Sequence, residues 1–589
     1  MYFTTISHNL LTCGQLDDIW IYDADHEIAQ FIVPKSAEKH MTYKDSQLCQ
    51  RCEELSIWSK FLVITNLPKK IDDNAHIQLK DSETLSSNGI QRGFPDPLVP
   101  GDTTHLNILN RWVKDCNETQ HLPDRKSFIP SRLLLVGDED TRFVRLISKP
   151  ESQSGSVKYI ALSHRWGKDT STEGKFVTTT TDNIQAISSE LGIDDDYLPK
   201  TFLDAVIVTR KLKVKYLWID SLCILQDNMN HGNMDSKSDW DRESKLMEEV
   251  FGSAYITIAA SCAENRFKGF LKARTPRKFV TTRLDDGVQF HICEVIDNFE
   301  TDVEKGELNQ RGWVLQERAL SRRTLHFTSS QTYWECGEGI RCETFTKTTN
   351  RKAAFLGDSN FPHSVESFKQ GRQLQHYHDL YERYSSLKLT YPADKPRAIA
   401  GLEKRLMTAL KSTGGYGIFL SNFHRDLLWQ RRNAGTSLRR IEFQPPEEIP
   451  SWSWMAFEGE IRYMNVPFGD IERAKDISSP FETQTGRGAE ETSDLSKKTH
   501  FQATARTLVS DNPTRLILDD PERILRLPLM CVIVGTSKQN KSDPVRHYAL
   551  MVAPVMDKEK DNVFERVGVA YLSKDEVSIE EGTGIVRIQ

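Results

Sequence analysis

The chain has 589 residues, of which 38% are hydrophobic, and it carries 77 Lys plus Arg against 83 Asp plus Glu. This length exceeds the size at which a single core keeps growing, so we expect a globular protein of several domains. The net charge of −6 gives no electrostatic case for nucleic acid. No apolar run approaches the roughly 18 to 20 residues that span a bilayer. We therefore predict neither a nucleic-acid partner nor a membrane partner.

The start of the chain, MYFTTISHNLLTCGQLDD, lacks a basic stretch ahead of an apolar run and has no small-residue cleavage pattern. This favours a cytoplasmic protein over a secreted one. The ten cysteines lie at irregular spacing, which suits reduced thiols better than a disulfide scaffold. Cys49 and Cys52 have CxxC spacing, but no second pair follows at a zinc-finger interval, so we predict no metal site.

The sequence pattern divides the chain into four regions. Residues 1–150 form a segment of mixed structure that ends in a hairpin signal, SRLLLVGDEDTRFVRLIS. Residues 151–345 form the core domain, and residues 346–449 continue it with helices. Residues 450–589 contain short alternating runs typical of β structure. Within them, residues 475–498 are rich in Ser, Thr, Glu and Gly, which predicts a disordered insertion.

Apolar runs in the core domain alternate between strand-like and helix-like patterns. KYIALS, VKYLWID and AYITIAAS are continuous apolar strands, while DNIQAISSEL, LPKTFLDAVIVTRKL and DWDRESKLMEEVF are helical. After Pro199, a helix-start signal, five residues recur at three- and four-residue spacing: Phe202, Ala205, Val206, Thr209 and Leu212. The alternation predicts an α/β fold whose mainly parallel sheet is covered by helices.

Sheets of this class carry their sites just beyond the carboxyl ends of the strands. Here the predicted strands lead into polar and reactive side chains, namely Ser163, His164, Arg165 and Trp166, then Asp220, Ser221 and Cys223, then Ser261 and Cys262. The sequence therefore predicts that these side chains gather along one edge of the sheet.

Three long blocks, in this order, resemble one family. ALSHRWG (161–167), LPKTFLDAVIVTRKLKVKYLWIDSLCILQD (198–227) and RGWVLQERALSRRTLHF (311–327) are similar to the blocks of the fungal heterokaryon incompatibility (HET) domain. The resemblance implies an effector of non-self recognition that triggers programmed cell death after incompatible cells fuse. It also implies a protein trigger, which the sequence leaves unidentified.

The HET family also has a remote likeness to TIR domains. That likeness implies a flavodoxin-like sheet and NAD hydrolysis by a glutamate in a W-x-x-E segment. Trp240 and Glu243 have this spacing. The resemblance thus makes the protein a candidate NAD glycohydrolase, with NAD as its substrate and no cofactor required.

Glu243 is the candidate catalytic residue. In a helix that begins at a predicted N-cap, Asp239, it shares one face with three apolar residues, Leu246, Met247 and Val250. A carboxylate on an apolar face is costly unless it is paired or takes part in chemistry. The alternative is a structural ion pair with one of three arginines, Arg165, Arg242 or Arg311.

Several neighbouring residues are candidates for binding the substrate. Arg165 suits a pyrophosphate and Trp166 a base, although Trp166 also suits a plug at the domain edge. Asp220 either caps a turn, holds an arginine or contacts a ribose hydroxyl. Gln226 either fixes its loop or binds an amide or ribose. Ser163, Cys223 and Trp240 complete the predicted binding site.

Cys223 gives rise to a different hypothesis. If His164 lies within hydrogen-bond reach, the pair could form the nucleophile and base of a Cys-dependent hydrolase. The structural alternative is a small buried thiol. A further alternative is a non-enzymatic signalling module, in which the same residues form a switch surface for self-association.

Overall fold

The structure, a computed structural model, describes residues 16–22, 28–34, 61–66, 90–93, 97–119, 128–148, 157–167, 178–226, 234–276, 279–283, 289–294, 296–344, 347–348, 363–366, 368–444, 448–469, 471–482, 499–509, 515–522, 529–538, 545–555 and 562–589. The chain divides into two compact units. The first comprises residues 1–309 and 317–359, and the second comprises residues 310–316 and 360–589. Cys49 and Cys52 lie outside the described residues.

The first unit contains sixteen described strands. They are β1 (Leu16–Tyr22), β2 (Ile28–Pro34), β3 (Phe61–Asn66), β4 (Ile90–Gly93), β5 (Arg132–Leu135), β6 (Phe143–Ser148), β7 (Tyr159–Ser163), β8 (Ile193–Asp194), β9 (Tyr216–Trp218), β10 (Ile256–Ala259), β11 (Phe279–Arg283), β12 (Gln289–Glu294), β13 (Arg323–Phe327), β14 (Thr332–Cys336), β15 (Gly339–Cys342) and β16 (Lys347–Thr348). Six of them form a separate sheet in the order β2-β1-β11-β12-β3-β4.

The other ten strands form the main sheet, in the order β16-β15-β14-β13-β10-β7-β9-β5-β6-β8. Its four central strands, β13, β10, β7 and β9, are parallel to one another, while both flanks are antiparallel. The predicted parallel strands are therefore confirmed at the centre of a mixed sheet. The predicted hairpin is β5 and β6, and it extends this sheet across the boundary predicted at residue 150.

Helices accompany the main sheet. They are α1 (Thr103–Glu118), α2 (Ile184–Ser188), α3 (Lys200–Lys211), α4 (Asp220–Cys223), α5 (Met234–Glu243), α6 (Met247–Ser253) and α7 (Gly312–Leu320), with short 3₁₀ or π turns at Asp195–Tyr197, Ser244–Leu246, Glu300–Glu304 and Glu307–Gln310. All five residues predicted for the core face of α3 are buried. Every residue of β7 is also buried, as expected of a strand covered on both faces.

The predicted helix start at Asp239 is wrong. Helix α5 begins at Met234, so Asp239 lies inside the helix rather than at its N-cap. The 3₁₀ turn Ser244–Leu246 separates α5 from α6. Glu243, Met247 and Val250 are nevertheless buried, whereas Leu246 of the predicted face is half-buried.

The second unit combines helices with β structure. Its helices are α8 (His363–Glu366), α9 (Gln370–Ser385), α10 (Ala400–Ala409) and α11 (Phe423–Asp426), with 3₁₀ turns at Pro392–Asp394, Arg397–Ile399, Leu420–Asn422, Trp454–Ala456 and Lys574–Glu576. Its strands are β17 (Gly414–Gly415), β18 (Ile418–Phe419), β19 (Trp429–Arg431), β20 (Arg439–Arg440), β21 (Phe457–Glu458), β22 (Ile461–Tyr463), β23 (Ile471–Arg473), β24 (Ile477–Ser478), β25 (Phe501–Leu508), β26 (Leu516–Leu518), β27 (Met530–Ser537), β28 (Arg546–Pro554), β29 (Val563–Ser573) and β30 (Val577–Ile588).

Five strands of the second unit close into a ring, because β27, β28, β29, β30 and β25 pair in turn and β25 pairs again with β27. Alternate residues of β27 belong to two different hydrophobic clusters, so both faces of this strand are buried. That burial explains its continuous apolar run, MCVIVGT. The predicted β-rich tail is confirmed.

The predicted insertion at residues 475–498 is wrong in its first part. Residues 475–482 are ordered, because β24 pairs with β25 and Phe481 is buried in the hydrophobic core. Residues 483–498 lie outside the described residues. In the part of the chain that the structure describes, no helix is both long and apolar enough to cross a membrane.

Candidate functional site

The central strands deliver polar residues to one edge of the main sheet. Ala161 on β7 lies opposite Trp218 on β9, and Ser163 lies opposite Ala259 on β10. Because the three strands are parallel and in register, their carboxyl ends meet at the same edge. The residues that follow them are therefore neighbours, as the sequence predicted.

Asp220 lies at the centre of this edge. Its carboxylate accepts hydrogen bonds from Trp166 Nε1 at 2.8 Å and from the backbone N–H of Ser221 at 2.7 Å. The Nδ1 atom of His164 lies 3.8 Å from Asp220 Oδ1. Asp220 thus caps the turn that follows β9 and also ties the end of β7 to the end of β9.

Trp166 is fixed by an arginine that local sequence patterns do not single out. The buried Arg266 donates from Nε to the Trp166 carbonyl at 3.1 Å, and its guanidinium lies 5.5 Å from the centre of the indole ring. The following Gly167 has φ +79°, and a Cβ there would lie 2.4 Å from Asn265. Only glycine fits this turn, which holds the half-buried indole at the sheet edge.

Arg165 makes contacts within the first unit. It donates from Nε to the Ala263 carbonyl at 3.0 Å and forms an ion pair with the exposed Glu307. A ligand phosphate at this edge would compete with Glu307 for the guanidinium, and Glu307 is the partner that solvent can release most easily.

A network centred on Asp239 joins the turn after β9 to helix α5. The buried Asp239 carboxylate accepts hydrogen bonds from Arg132 and Arg242, and from the Leu225 N–H at 2.9 Å. Arg132 also donates from Nε to the Cys223 carbonyl at 2.6 Å. This network positions the helix that carries Trp240 and Glu243 beside the end of β9.

Glu243 is buried, with 3% of its surface exposed. Its Oε1 atom lies 3.3 Å from Nε of Arg242, which is largely exposed. Of the three arginines predicted as alternatives, the structure thus pairs Glu243 with Arg242. Trp240 is half-buried on the same helix. The carboxylate therefore sits inside the fold with a partner that reaches it from solvent.

Cys223 is almost completely buried, with 1% of its surface exposed. Burial raises the pKa of its thiol to about 12, and the nearby negative charges of Asp220 and Glu243 act in the same direction. The thiol is therefore protonated at neutral pH, whereas a nucleophile must be a thiolate. The structure favours the small buried thiol over the catalytic one.

Gln226 fixes the loop after α4. Its backbone N–H donates to the Thr179 carbonyl at 2.7 Å, and its side-chain Nε2 lies 3.4 Å from the Asp220 carbonyl. The Thr179 hydroxyl donates in turn to the Leu222 carbonyl at 2.6 Å. These bonds hold the loop against the segment around Thr179. The next residues, 227–233, lie outside the described residues.

Three serine hydroxyls at the strand ends have no hydrogen-bond partner among the described residues. They belong to Ser163, Ser221 and Ser261, which follow or end β7, β9 and β10 and which expose 3%, 0% and 9% of their surface. A buried hydroxyl without a partner costs about 1–3 kcal/mol. Clustered groups of this kind are expected where a ligand or ordered water supplies the missing partners.

The structure brings most of the predicted residues together. Ser163, Trp166, Asp220, Cys223 and Gln226 lie around the ends of β7 and β9, and the Asp239 network ties α5, with Trp240 and Glu243, to the same turn. Arg165 instead donates to the Ala263 carbonyl and pairs with Glu307.

The third sequence block, residues 311–327, is divided between the two units of the chain. Trp313 and Gln316 contact other residues of the second unit: Trp313 Nε1 lies 3.4 Å from Asp394, and Gln316 accepts from the Gly401 N–H at 2.9 Å. Arg318 lies in the first unit, where it forms a bidentate pair with the buried Glu335 at 2.7 Å. The block therefore supplies hydrogen bonds to the second unit and an ion pair to the first.

Sequence reasoning missed Arg132, Arg266 and the true role of Asp239. The signal for Arg132 was a charge at the start of an otherwise apolar strand, RLLL. Asp239 was visible as an acid four residues before Glu243, but its distant partner Arg132 was not. These contacts join segments far apart in sequence, which local patterns do not reveal.

Residues 159–317 match the family model described as heterokaryon incompatibility protein (HET). Comparison with curated proteins and with solved structures gives no match. The matched segment begins at the first residue of β7 and includes β9, β10, α5 and all the candidate site residues. By this match, residues 159–317 form a heterokaryon incompatibility (HET) domain, which indicates a role in heterokaryon incompatibility.

Proposed function

We propose that this protein is a cytoplasmic effector of fungal non-self recognition and programmed cell death, and that its HET domain binds and hydrolyses NAD in the manner of a TIR domain. The observation that carries the proposal is the group of buried hydroxyls of Ser163, Ser221 and Ser261 at the parallel strand ends. The class of ligand that fits them is rich in hydroxyl and phosphate oxygens, as a dinucleotide is.

The surrounding residues suit the other parts of a dinucleotide. The half-buried indole of Trp166 offers a stacking surface for a base, and Arg266 holds it in place. Asp220 can accept a hydrogen bond from a ribose hydroxyl beside its bonds to Trp166 and Ser221. Arg165, whose exposed partner Glu307 is easily displaced, suits the pyrophosphate.

In the proposed reaction the N-glycosidic bond of NAD breaks and nicotinamide leaves with the bonding electron pair. The ribose is then an oxocarbenium ion, and the Glu243 carboxylate stabilises its positive charge. Water adds to the anomeric carbon and loses a proton, which gives ADP-ribose. Burial strengthens this stabilisation, because the field of a carboxylate is screened less inside the fold than in water.

The second candidate function is a non-enzymatic module that signals by self-association. The observation in its favour is that Glu243 already has a partner in Arg242, so a structural role accounts for it. The Cys-dependent hydrolase is not proposed, because the protonated and buried thiol of Cys223 does not suit it.

Nicotinamide release from NAD by the purified 589-residue chain tests the proposal. We expect release by the wild type, and a loss of at least roughly a hundredfold with Glu243→Gln, which keeps shape but removes the charge. The matched control is Glu118→Gln, because Glu118 is exposed at the end of α1 in the same unit. The assay is run at high protein concentration and with a crowding agent to favour assembly.

Two outcomes contradict the glycohydrolase. One is no release under any assembly condition while expression of the chain still kills cells, which would favour the signalling module. The other is equal release by wild type and a folded Glu243→Gln variant, which would place the chemistry elsewhere.

A further inference from the structure

One edge of the main sheet carries three large apolar side chains that face solvent. Phe143 on β6 exposes 40% of its surface, Leu191 before β8 exposes 86%, and Tyr197 in the following 3₁₀ turn exposes 54%. Isolated exposed apolar residues are ordinary, but a group of them at one place marks an interaction surface.

Backbone contacts show that the three residues belong to one small structure. Phe143 is the register partner of Asp194 on β8. Leu191 precedes Gly192, where a Cβ would lie 2.3 Å from the Val144 carbonyl oxygen. The Asp195 N–H donates to the Arg142 carbonyl at 3.0 Å, two residues before Tyr197. Residues 191–195 therefore pack closely against the backbone at the beginning of β6.

A buried ion pair makes this structure rigid. Arg210 of α3 contacts both carboxylate oxygens of Asp195, at 2.6 and 3.1 Å, and donates to the carbonyls of Val136 and Phe143. The apolar side chains are therefore presented on a fixed backbone. A preformed surface loses little entropy when it binds.

The backbone at this edge is also open. β8 is the last strand of the ten-stranded sheet, and it pairs with β6 over only two residues. No described strand pairs with its outer side. Because Asp195 donates toward β6, the alternation of an antiparallel pair turns the N–H and C=O of Asp194 outward. An open edge of this kind is a template for pairing with another chain.

The charges at the edge select the partner. Arg142 and Asp194 are both exposed. Arg142 precedes Phe143 in the chain, and Asp194 lies opposite Phe143 in the pairing of β6 with β8. A surface that carries both signs beside an apolar centre is complementary to itself under a twofold rotation. The edge patch, defined as Arg142, Phe143, Leu191, Asp194 and Tyr197, therefore fits a second copy of this chain.

We propose that two copies of the protein associate through the edge patch about a twofold axis. The apolar side chains of Phe143, Leu191 and Tyr197 of each copy pack against those of the other. Arg142 of each copy then faces Asp194 of its partner. The edge patch lies at the β8 end of the main sheet, and β9, β5 and β6 separate β8 from β7. This inference does not depend on NAD hydrolysis.

Sedimentation velocity of the 589-residue chain over a roughly hundredfold range of concentration tests the apolar part of the interface. We expect a wild-type dimer and, for Leu191→Lys, a dimer Kd raised about a hundredfold, since both copies lose the contact. Leu191 is so exposed that the change should not affect folding, which circular dichroism verifies. Val509→Lys is the control, because Val509 is similarly exposed, at 67%, in the second unit.

A pair of charge changes tests the twofold arrangement. Arg142→Asp and Asp194→Arg each place like charges across the interface, so each variant alone should dimerise at least about tenfold more weakly. A mixture of the two variants restores both opposite-charge contacts and should form a heterodimer with nearly wild-type affinity.

Three results would overturn the proposal. The first is a wild type that stays monomeric at every concentration. The second is a Leu191→Lys dimer as strong as the Val509→Lys dimer. The third is a mixture of the charge variants that remains as weak as its components, which would show that Arg142 and Asp194 do not meet.

Discussion

Two regions of the molecule bury polar side chains beside β strands, but they satisfy them to very different degrees. In the second unit, the buried Arg566 donates to both carboxylate oxygens of Asp519, at 2.9 and 3.1 Å, and to the carbonyls of Leu427 and Trp429. In the first unit, the hydroxyls of Ser163, Ser221 and Ser261 are also buried but have no partner among the described residues.

The difference separates a structural role from a binding role. A buried charge is tolerated only when its hydrogen bonds are complete, so the Arg566–Asp519 pair has the form of a structural element. Hydroxyls left incomplete at parallel strand ends destabilise the fold slightly and leave hydrogen-bonding capacity for a ligand. Substitutions of Asp519, Glu343, the serines and Cys223 test this difference between the two regions. Their expected effects decrease in that order.

The largest effect is expected for Asp519→Asn, which removes the charge that balances Arg566. An uncompensated guanidinium would remain in the core, where Arg566 also stacks 3.1 Å from the centre of the Trp429 ring. We expect a loss of about 3–5 kcal/mol in the free energy of unfolding, measured by urea denaturation with tryptophan fluorescence. Glu460→Gln is the control, since its pair with Arg432 is exposed and should contribute nothing measurable. An unchanged midpoint for Asp519→Asn would refute the structural role.

A buried ion pair in the first unit, between Glu343 and Arg274, should make stability depend on pH. Burial alone raises the pKa of Glu343, but the hydrogen bond with His105 and the charge of Arg274, 2.6 Å away, outweigh it and lower the pKa to about 2. This group therefore stabilises the fold fully above its unfolded pKa near 4.5, by roughly 3 kcal/mol, and loses that contribution as pH falls toward 2. The unfolding free energies of wild type and Glu343→Gln should differ at pH 7 and converge in acid. A difference independent of pH would contradict the prediction.

For the serine hydroxyls without partners, we expect substitution to weaken NAD binding without a loss of stability. Ser163→Ala and Ser221→Ala remove buried hydroxyls without partners, so the unfolding free energy should rise by about 1–3 kcal/mol, while KM for NAD rises about five- to tenfold. Thr179→Val is the matched control, because its hydroxyl is bonded to the Leu222 carbonyl and its loss should destabilise by about 1 kcal/mol. Serine variants that destabilise as much as Thr179→Val would show that these hydroxyls have partners after all.

The smallest effect is expected for Cys223. Its protonated, buried thiol should resist alkylation in the native protein at pH 7.5, and Cys223→Ala should leave nicotinamide release unchanged. Mass spectrometry of labelled peptides distinguishes it from the half-buried Cys262. Rapid native labelling of Cys223, with loss of activity in Cys223→Ala, would revive the Cys-dependent hydrolase.

Local patterns predicted much of the central sheet. The strands YIALS and AYITIAAS and the core face of α3 follow from apolar runs and helical spacing, which depend on neighbours along the chain. The order of the strands did not follow from these patterns, and neither did the antiparallel flanks that β5, β6 and β14 add to the sheet. Pairing partners are chosen by segments far apart in sequence, so no window of residues contains that information.

The candidate site shows the same division. The sequence by itself determined which residues follow the strands, and hence that Ser163, Trp166 and Asp220 are neighbours, because parallel strands in register end at one edge. Only the tertiary structure decided that Asp239 binds Arg132, that Glu243 is paired with Arg242 and that three serine hydroxyls are incomplete among the described residues. Hydrogen bonding of a buried group depends on the atoms that surround it in space, and most of those atoms come from elsewhere in the chain.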